Sequence, residues 1–405
     1  MKLSEFFNSE LVSLPKGGFD DAKDTFDQFL EGLFERYQRQ LRLIDDPEFP
    51  DLKSALPDLV RASQTLSASV VKAVRSSLNG HVHAAYQEIS SELSKIDWTP
   101  FRSTLKEANE PINLSDPFSP YRYAIDHPPL YRIRPDRGDF RTPDRGDIFH
   151  VPFEKRRLVG NQRYSITGLP CLYLGSSLWI CWEELGRPPL DSLWVSRFRI
   201  AKPVKVLDFL FSPHQVWRMF EALRRGTPSA ADRSSEEMLK TRFNAEFLES
   251  YAHCWPLFAA CSIRREQRVG PFVPEFIVPQ LLLQWAAQEG QFDGVRYFSV
   301  RTPTEGAHLL AHSNCVFPVK TISIRGHCTE LKQTFALTEP ISWEALTAVN
   351  FGDRQVITNR DSNAFAPIKL NEDIELRYSQ TDFFKIELKL EAVESRPNCS
   401  RTINP

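Results

Sequence analysis

What this 405-residue sequence has little of narrows it first. Cysteine is sparse: there are seven, with no C-x-x-C pair, so neither a zinc site nor a disulfide framework is expected. Cys171, Cys181, Cys254, Cys261 and Cys315 stand in apolar surroundings and read as small core residues of a reducing compartment. Long hydrophobic runs are missing as well. No stretch approaches the eighteen apolar residues of a membrane span, so no membrane partner is expected. An excess of one charge is lacking: 50 Lys+Arg stand against 52 Asp+Glu, a net charge of -2. That leaves no global electrostatic footprint for nucleic acid. The opening MKLSEFFNSELVSL places acidic residues where a signal peptide needs an uninterrupted apolar core, so the expected location is the cytoplasm. No internal repeat is visible.

What is present is ordinary for a globular chain: 41% hydrophobic residues, 25% charged, and abundant aromatics (29 Phe, 10 Tyr, 8 Trp), which together argue against disorder. The length suffices for two or three domains, each with its own core. Residues 1–98 read as a helical bundle. Phe26, Leu30, Leu33, Phe34, Tyr37 and Leu41 recur at helical spacing, Asp45-Asp46-Pro47 and Pro50 interrupt, and Leu56 to Leu78 resumes the pattern until Asn79-Gly80 stops it. Tyr86, Ile89, Leu93 and Ile96 mark a third helix. Within the bundle, Arg75 and His81 in RSSLNGH resemble the arginine–histidine spacing of the HEPN ribonuclease family. Such a pair would do acid–base chemistry on an RNA 2′-hydroxyl. No basic patch surrounds it, and the bundle is read instead as a regulatory or assembly domain.

Proline and polar residues dominate 99–129, a linker. From Leu130 the pattern turns to strands: Leu130–Arg134 alternates, and so do Leu193–Ile200, Val204–Phe209, Val295–Val300 and His308–Phe317. Helices are expected at 213–224, 235–250 and Pro274–Ala287. The pieces Lys320–Ile324 and Phe383–Leu390 look strand-like, and 321–405 reads as a β-rich extension. Between Arg132 and Arg163, nine basic residues oppose five acidic ones. An arginine fork matches phosphate oxygens bidentately, and Arg132 and Arg163, beside strand cores, are the best placed. The stretch NQRYSITGLPCLYLGSSLWICWEEL, Asn161–Leu185, predicts a turn at Gly168 and Pro170, a buried strand at Cys171–Leu174, and a helix capped by Ser176 or Ser177. Leu178, Ile180, Cys181 and Leu185 would pack that helix, turning Glu183 or Glu184 back toward Tyr173.

Taken together, YRI at Tyr131–Ile133, QRYSITGLPCLYLGSSLWICWEEL at Gln162–Leu185, FIVPQLLLQWA at Phe276–Ala286 and FDGVRYFSVR at Phe292–Arg301 resemble the RES-domain family. Its members are toxins acting on nicotinamide adenine dinucleotide (NAD+), and the resemblance covers residues 130–320. It implies an α+β fold, a split mixed β-sheet of ADP-ribosyltransferase type, here preceded by the α-helical bundle. It implies Glu184, Arg163, Tyr173 and Ser299 as catalytic residues. It implies Arg132, Arg163, Tyr164, Tyr173 and Ser299 as the dinucleotide site, with no metal. Glu184 is preferred over its neighbour Glu183 because it lies eleven residues after Tyr173. The sequence departs from the family at Asn161-Gln162, where two glycines are usual, and at Tyr164, where tryptophan is usual.

Breaking the nicotinamide–ribose bond builds positive charge on the sugar, as glycoside hydrolysis does. A fixed carboxylate is favoured there more in the transition state than before it, the role expected of Glu184. Arg132 and Arg163 would hold pyrophosphate or an incoming phosphate, the tyrosines would stack, and Ser299 would orient the ribose. His308 and His312, on the next strand, offer no obvious pairing with Ser299. Each residue has a plainer alternative: Tyr173 as a core tyrosine, Glu184 as a partner of Arg187, Ser299 as an edge-strand serine. NAD+ is then a substrate rather than a bound cofactor. Further partners are inorganic phosphate, an antitoxin or regulatory protein, and a second copy of the chain. Phosphorolysis or hydrolysis of NAD+ is the first expectation. ADP-ribosyl transfer, a non-catalytic dinucleotide-binding module and a bundle ribonuclease are the alternatives.

Overall fold

A computed structural model describes residues 1–107, 125–136, 138, 141–226, 234–265, 270–301, 312–348, 368–369, 374–394 and 400–401. His308, Arg137 and the centre of the expected linker lie outside the described residues. The chain forms two compact units. One gathers 1–102, 161–166 and 211–289; the other gathers 103–160, 167–210 and 290–405.

The first unit is helical. Phe26–Leu41, Pro50–Leu78 and Val82–Leu93 are the three helices read from the apolar spacing. Pro50 does not end a helix; it starts one, at the position where its missing N–H costs least. Gly80 adopts φ +79°, a left-handed conformation that closes the long helix at little steric cost. Later helices at Pro213–Arg225, Ser234–Arg242, Ala245–Cys261 and Ile277–Glu289 share this unit's core with the first three. The bond between the two sets is visible at Tyr37. Its ring stacks on Trp255 at 4.0 Å, and its buried hydroxyl donates to the Ala252 carbonyl at 2.6 Å. The segment Phe276–Ala286, which the family resemblance assigned to the catalytic stretch, therefore belongs to the helical unit.

The second unit is built on one mixed sheet. Its strands are β1 (Arg102–Leu105), β2 (Leu130–Pro135), β3 (Cys171–Gly175), β4 (Leu193–Ile200), β5 (Val204–Phe209), β6 (Gly294–Phe298), β7 (Ser313–Pro318), β8 (Phe335–Thr338), β9 (Ile341–Ser342) and β12 (Ser400–Arg401). β10 (Ile368–Lys369) and β11 (Glu375–Leu376) form a separate pair. The order is β1-β5-β6-β7-β3-β2-β4-β8-β12, with β9 on β4. β5 and β6 run parallel, whereas β6–β7, β7–β3 and β2–β4 are antiparallel. Alternation divides the side chains between two cores. Leu172, Leu174, Cys315, Phe317 and Phe198 fill one face, and Tyr131, Ile133, Leu193 and Val195 face the other, against the helix Leu178–Glu184. At the centre, β2 and β3 pair only at Tyr131↔Gly175, whereas β2 and β4 pair over six positions. The sheet is thus nearly split between β2 and β3.

Two strand assignments fail. Lys320–Ile324 is loop. Phe383–Leu390 lies in a helix, Asp382–Glu394, because its buried residues Phe383, Phe384, Ile386, Glu387 and Leu390 follow the 3.6-residue period rather than alternation. With Thr329–Thr334 and Trp343–Ala348 also helical, the described part of 321–405 carries three helices beside short strands. Among the described residues, no helix is long and apolar enough to cross a membrane.

Candidate functional site

The site grows from the turn between β3 and the helix Leu178–Glu184. Ser177 is the N-cap, its hydroxyl accepting from the Ile180 N–H at 3.2 Å. Ser176 instead ties the turn to β7, donating its N–H to the Ser313 carbonyl and accepting the Ser313 N–H on its hydroxyl. The helix lies so close to β3 that a Cβ on Gly175 would stand 2.5 Å from the Ile180 side chain and 2.6 Å from the Cys181 sulfur. Only glycine fits there. Leu185, expected to pack, is 45% exposed at the helix end.

At the other end of this short helix the two neighbouring carboxylates take different partners. Glu183 is buried and receives Arg187, at 3.0 Å from Nε and 2.8 Å from Nη2. Arg187 adopts φ +61°, a left-handed conformation rare for a side chain of its kind, and lies over the Trp182 ring. Glu184 is thereby left free of Arg187 and turns to the sheet. Its Oε1 accepts from Ser299 Oγ at 2.8 Å and from Asn314 Nδ2 at 2.9 Å. Its Oε2 lies 3.4 Å from Arg301 Nε. Arg301 also donates from Nη1 to the Glu183 carbonyl and from its backbone N–H to Ser299 Oγ. The Glu184 side chain keeps about a third of its surface open to solvent.

Tyr173, half-buried, projects from the β3 face that carries Gly175, and Asn314 and Tyr297 pair on that same face. Arg132, half-buried on β2, reaches across the split to the Tyr173 carbonyl, Nη1 to O 3.4 Å. Burial pulls its pKa down to about 10, with Arg134 adding to the effect, while Cys181 and Tyr173 act the other way. Cys181 joins these groups. Burial pushes its thiol up to about 12, and Glu387, Arg132 and Glu184 all act on it, while its sulfur donates to the Tyr131 carbonyl at 3.3 Å. Glu184, Ser299, Tyr173 and Arg132 are therefore parts of the sheet unit. Arg163 and Tyr164 belong to the helical unit. There the Arg163 fork is spent on the Cys261 and Ile263 carbonyls, at 3.1 and 3.0 Å, and lies over the Phe276 ring. The Tyr164 ring is 2% exposed, which leaves no face for stacking on a ligand. Asn161 and Gln162 are fixed there too, through Gln280, whose amide donates to Asn161 Oδ1 and the Gln162 carbonyl. Arg75 gives its guanidinium to Asp27 and Glu31, and His81 is the exposed N-cap of the next helix.

Two members of the site, Asn314 and Arg301, escaped the sequence reading. Asn314 had a signal: an amide inside the apolar run HSNCVFP must find a buried partner. Arg301 closes the FDGVRYFSVR segment, but nothing in its spacing says that it turns back to a glutamate 117 positions earlier (301 minus 184). His312 lies just before β7; its ring meets Ser177, Nδ1 to Oγ 2.8 Å, and its carbonyl accepts the Ser299 N–H at 3.3 Å. Among the described residues, no group of three or more His, Cys, Asp or Glu side chains could hold a metal ion.

The chain is 30% identical over 382 residues to a protein of Bacillus subtilis (strain 168) described as "Putative toxin YopC", an alignment that spans 91% of this chain and 75% of that one. No family profile and no solved structure matches it.

Proposed function

We propose, from the premise that this chain belongs to the family of the Bacillus subtilis protein described as putative toxin YopC, that it is a toxin that consumes NAD+ at Glu184. In this reading the sheet unit is a RES domain with an ADP-ribosyltransferase-like cleft at the split between β2 and β3. The helical unit serves regulation or assembly.

The observation that carries the reading is the fixation of Glu184 by Ser299, Asn314 and Arg301. A carboxylate offers about four lone-pair sites. Three are engaged here, so the group is held in place while one side stays open. When the bond between ribose C1′ and the nicotinamide nitrogen breaks, its electron pair leaves with nicotinamide and the sugar becomes cationic. A carboxylate already oriented by three protein groups stabilises that charge as it forms. An oxygen of phosphate or water then attacks C1′ and sheds its proton to solvent. Arg132, whose described contact is a long one to a backbone carbonyl, supplies positive charge for the pyrophosphate. Tyr173 gives an aromatic face beside it.

The test is NAD+ consumption by purified full-length protein, with and without inorganic phosphate, beside Glu184→Gln. The expected outcome is release of nicotinamide that falls about two to three orders of magnitude in the variant. Phosphate dependence would mark phosphorolysis. Equal turnover by the variant would overturn the assignment of Glu184, and no turnover by folded wild-type protein would overturn the reading as a whole.

A further inference from the structure

The helix that presents Glu184 has seven residues, and its N-terminus is gripped by the C-terminal part of the chain. Glu387, on the helix Asp382–Glu394, is 1% exposed, and its Oε1 accepts the Leu178 N–H at 2.7 Å. The same oxygen accepts the hydroxyl of Tyr378, which is also buried. Beside it, Ser177 caps Ile180 and meets His312, whose ring packs edge-on against both Trp179 and Tyr378. A buried carboxylate on the first N–H of a helix is a charge-assisted bond at the positive end of the helix dipole.

We infer that Glu387 is a positioning residue for Glu184. The geometry is that of a lever. Glu184 stands six residues beyond Leu178, roughly 9 Å along the axis. A tilt of about ten degrees at the capped end would then move the far end by about 1.6 Å. That is enough to break hydrogen bonds of 2.8 and 2.9 Å to Ser299 and Asn314. A two-turn helix has few bonds of its own to resist such a tilt. Its orientation is set from outside, by Gly175 beneath it and Glu387 at its head. The stretch after residue 320 thus has a task within the sheet unit: it aims the carboxylate.

The kinetic part of this inference rests on the proposed NAD+ chemistry, whereas its structural part does not. The experiment therefore uses two readouts on full-length Glu387→Leu, Glu387→Gln and Tyr378→Phe. The first is a crystal structure of each. Glu387→Leu is expected to lose the Glu184 contacts to Ser299 and Asn314, and Glu387→Gln, which keeps an acceptor for Leu178, is expected to retain them. The second is steady-state kinetics. Glu387→Leu is expected to lose about a hundredfold in kcat with KM within about twofold, because Arg132 is on β2 and not on this helix. Glu387→Gln should stay within about threefold of wild type. Should Glu387→Leu fail to fold, Tyr378→Phe, which removes one bond from the same oxygen, is expected to give a smaller kcat loss in the same direction. A Glu387→Leu structure with the Glu184 contacts intact, or a Gln variant as impaired as the Leu one, would overturn the inference. Absence of NAD+ turnover in wild type would instead sink the proposed chemistry and leave the crystallographic comparison to decide.

Discussion

Two arginine–carboxylate pairs, one from within β6 and one from just beyond its end, stand in opposite conditions. Arg296, within β6, is wholly buried. Its Nε donates to Asp208 Oδ1 at 2.9 Å, its Nη2 bonds the other carboxylate oxygen, and Nη1 takes the Ile125 carbonyl at 2.7 Å. Ser103 completes the set by bonding Asp208. Burial alone would pull this arginine's pKa down, but Asp208 outweighs it and raises it. Arg301, just past the end of β6, meets Glu184 at 3.4 Å with 43% of its side chain exposed. Both pairs look alike in sequence, an arginine with a distant acid. What separates them is saturation: the first has a fixed partner on every side, whereas the second leaves a carboxylate open to solvent on one flank. A closed network holds a fold together, and an open one is available for chemistry.

That contrast can be broken by substitution. Removing one partner of a buried pair leaves an uncompensated charge, so Arg296→Met should destabilise the protein by about 3–5 kcal/mol in urea unfolding, or prevent folding. Glu184→Gln should leave the unfolding free energy within about 0.5 kcal/mol of wild type while lowering NAD+ turnover about two to three orders of magnitude. If instead Glu184→Gln destabilised as much as Arg296→Met, the two pairs would be of one kind.

Acid should sharpen the picture at the level of the buried histidines. Burial holds His312 at about 3 and His150 at about 4, against an ordinary 6.5. Both are neutral when folded, and below about pH 6.5 only the unfolded chain takes up their protons. Their contribution is fully present above pH 6.5 and is lost as pH falls toward 4 and then 3. Stability should fall with a slope of up to about 1.4 kcal/mol per pH unit for each, and His312→Gln should flatten that slope in urea titrations from pH 7 to 4. The smallest effect belongs to Arg301→Gln. A half-exposed pair contributes under about 1 kcal/mol to stability, so the midpoint should scarcely move, whereas turnover should drop about tenfold.

Local pattern and long-range pairing were not equally readable. The three N-terminal helices followed from apolar spacing, and β2, β4, β5 and the Ser177-capped helix from alternation and a turn signal, because those features are set within a few residues. Of the two neighbouring carboxylates, Glu184 is the one that meets Ser299. The reason lies in Arg187, whose left-handed backbone carries it back onto Glu183, and no spacing rule contains that turn. The contacts of Arg163 were hidden for a related reason. Beside a turn it resembles a ligand-binding arginine, yet two carbonyls more than ninety residues away claim it, Cys261 at a separation of 98 and Ile263 at 100. The helix at 382–394 read as strand because Phe, Ile and Leu in a short apolar run suit either element until the burial period is known.

The sequence separations at Glu184 also put the site on a clock. Ser299 follows it by 115 residues and Asn314 by 130. At roughly 5–20 residues per second, a ribosome needs on the order of ten seconds to deliver both after Glu184 has been made. Throughout that interval the glutamate exists without the groups that fix it, and a chain interrupted there never gains them. A chain that stops short of residue 314 carries Glu184 without the full set of groups that hold it.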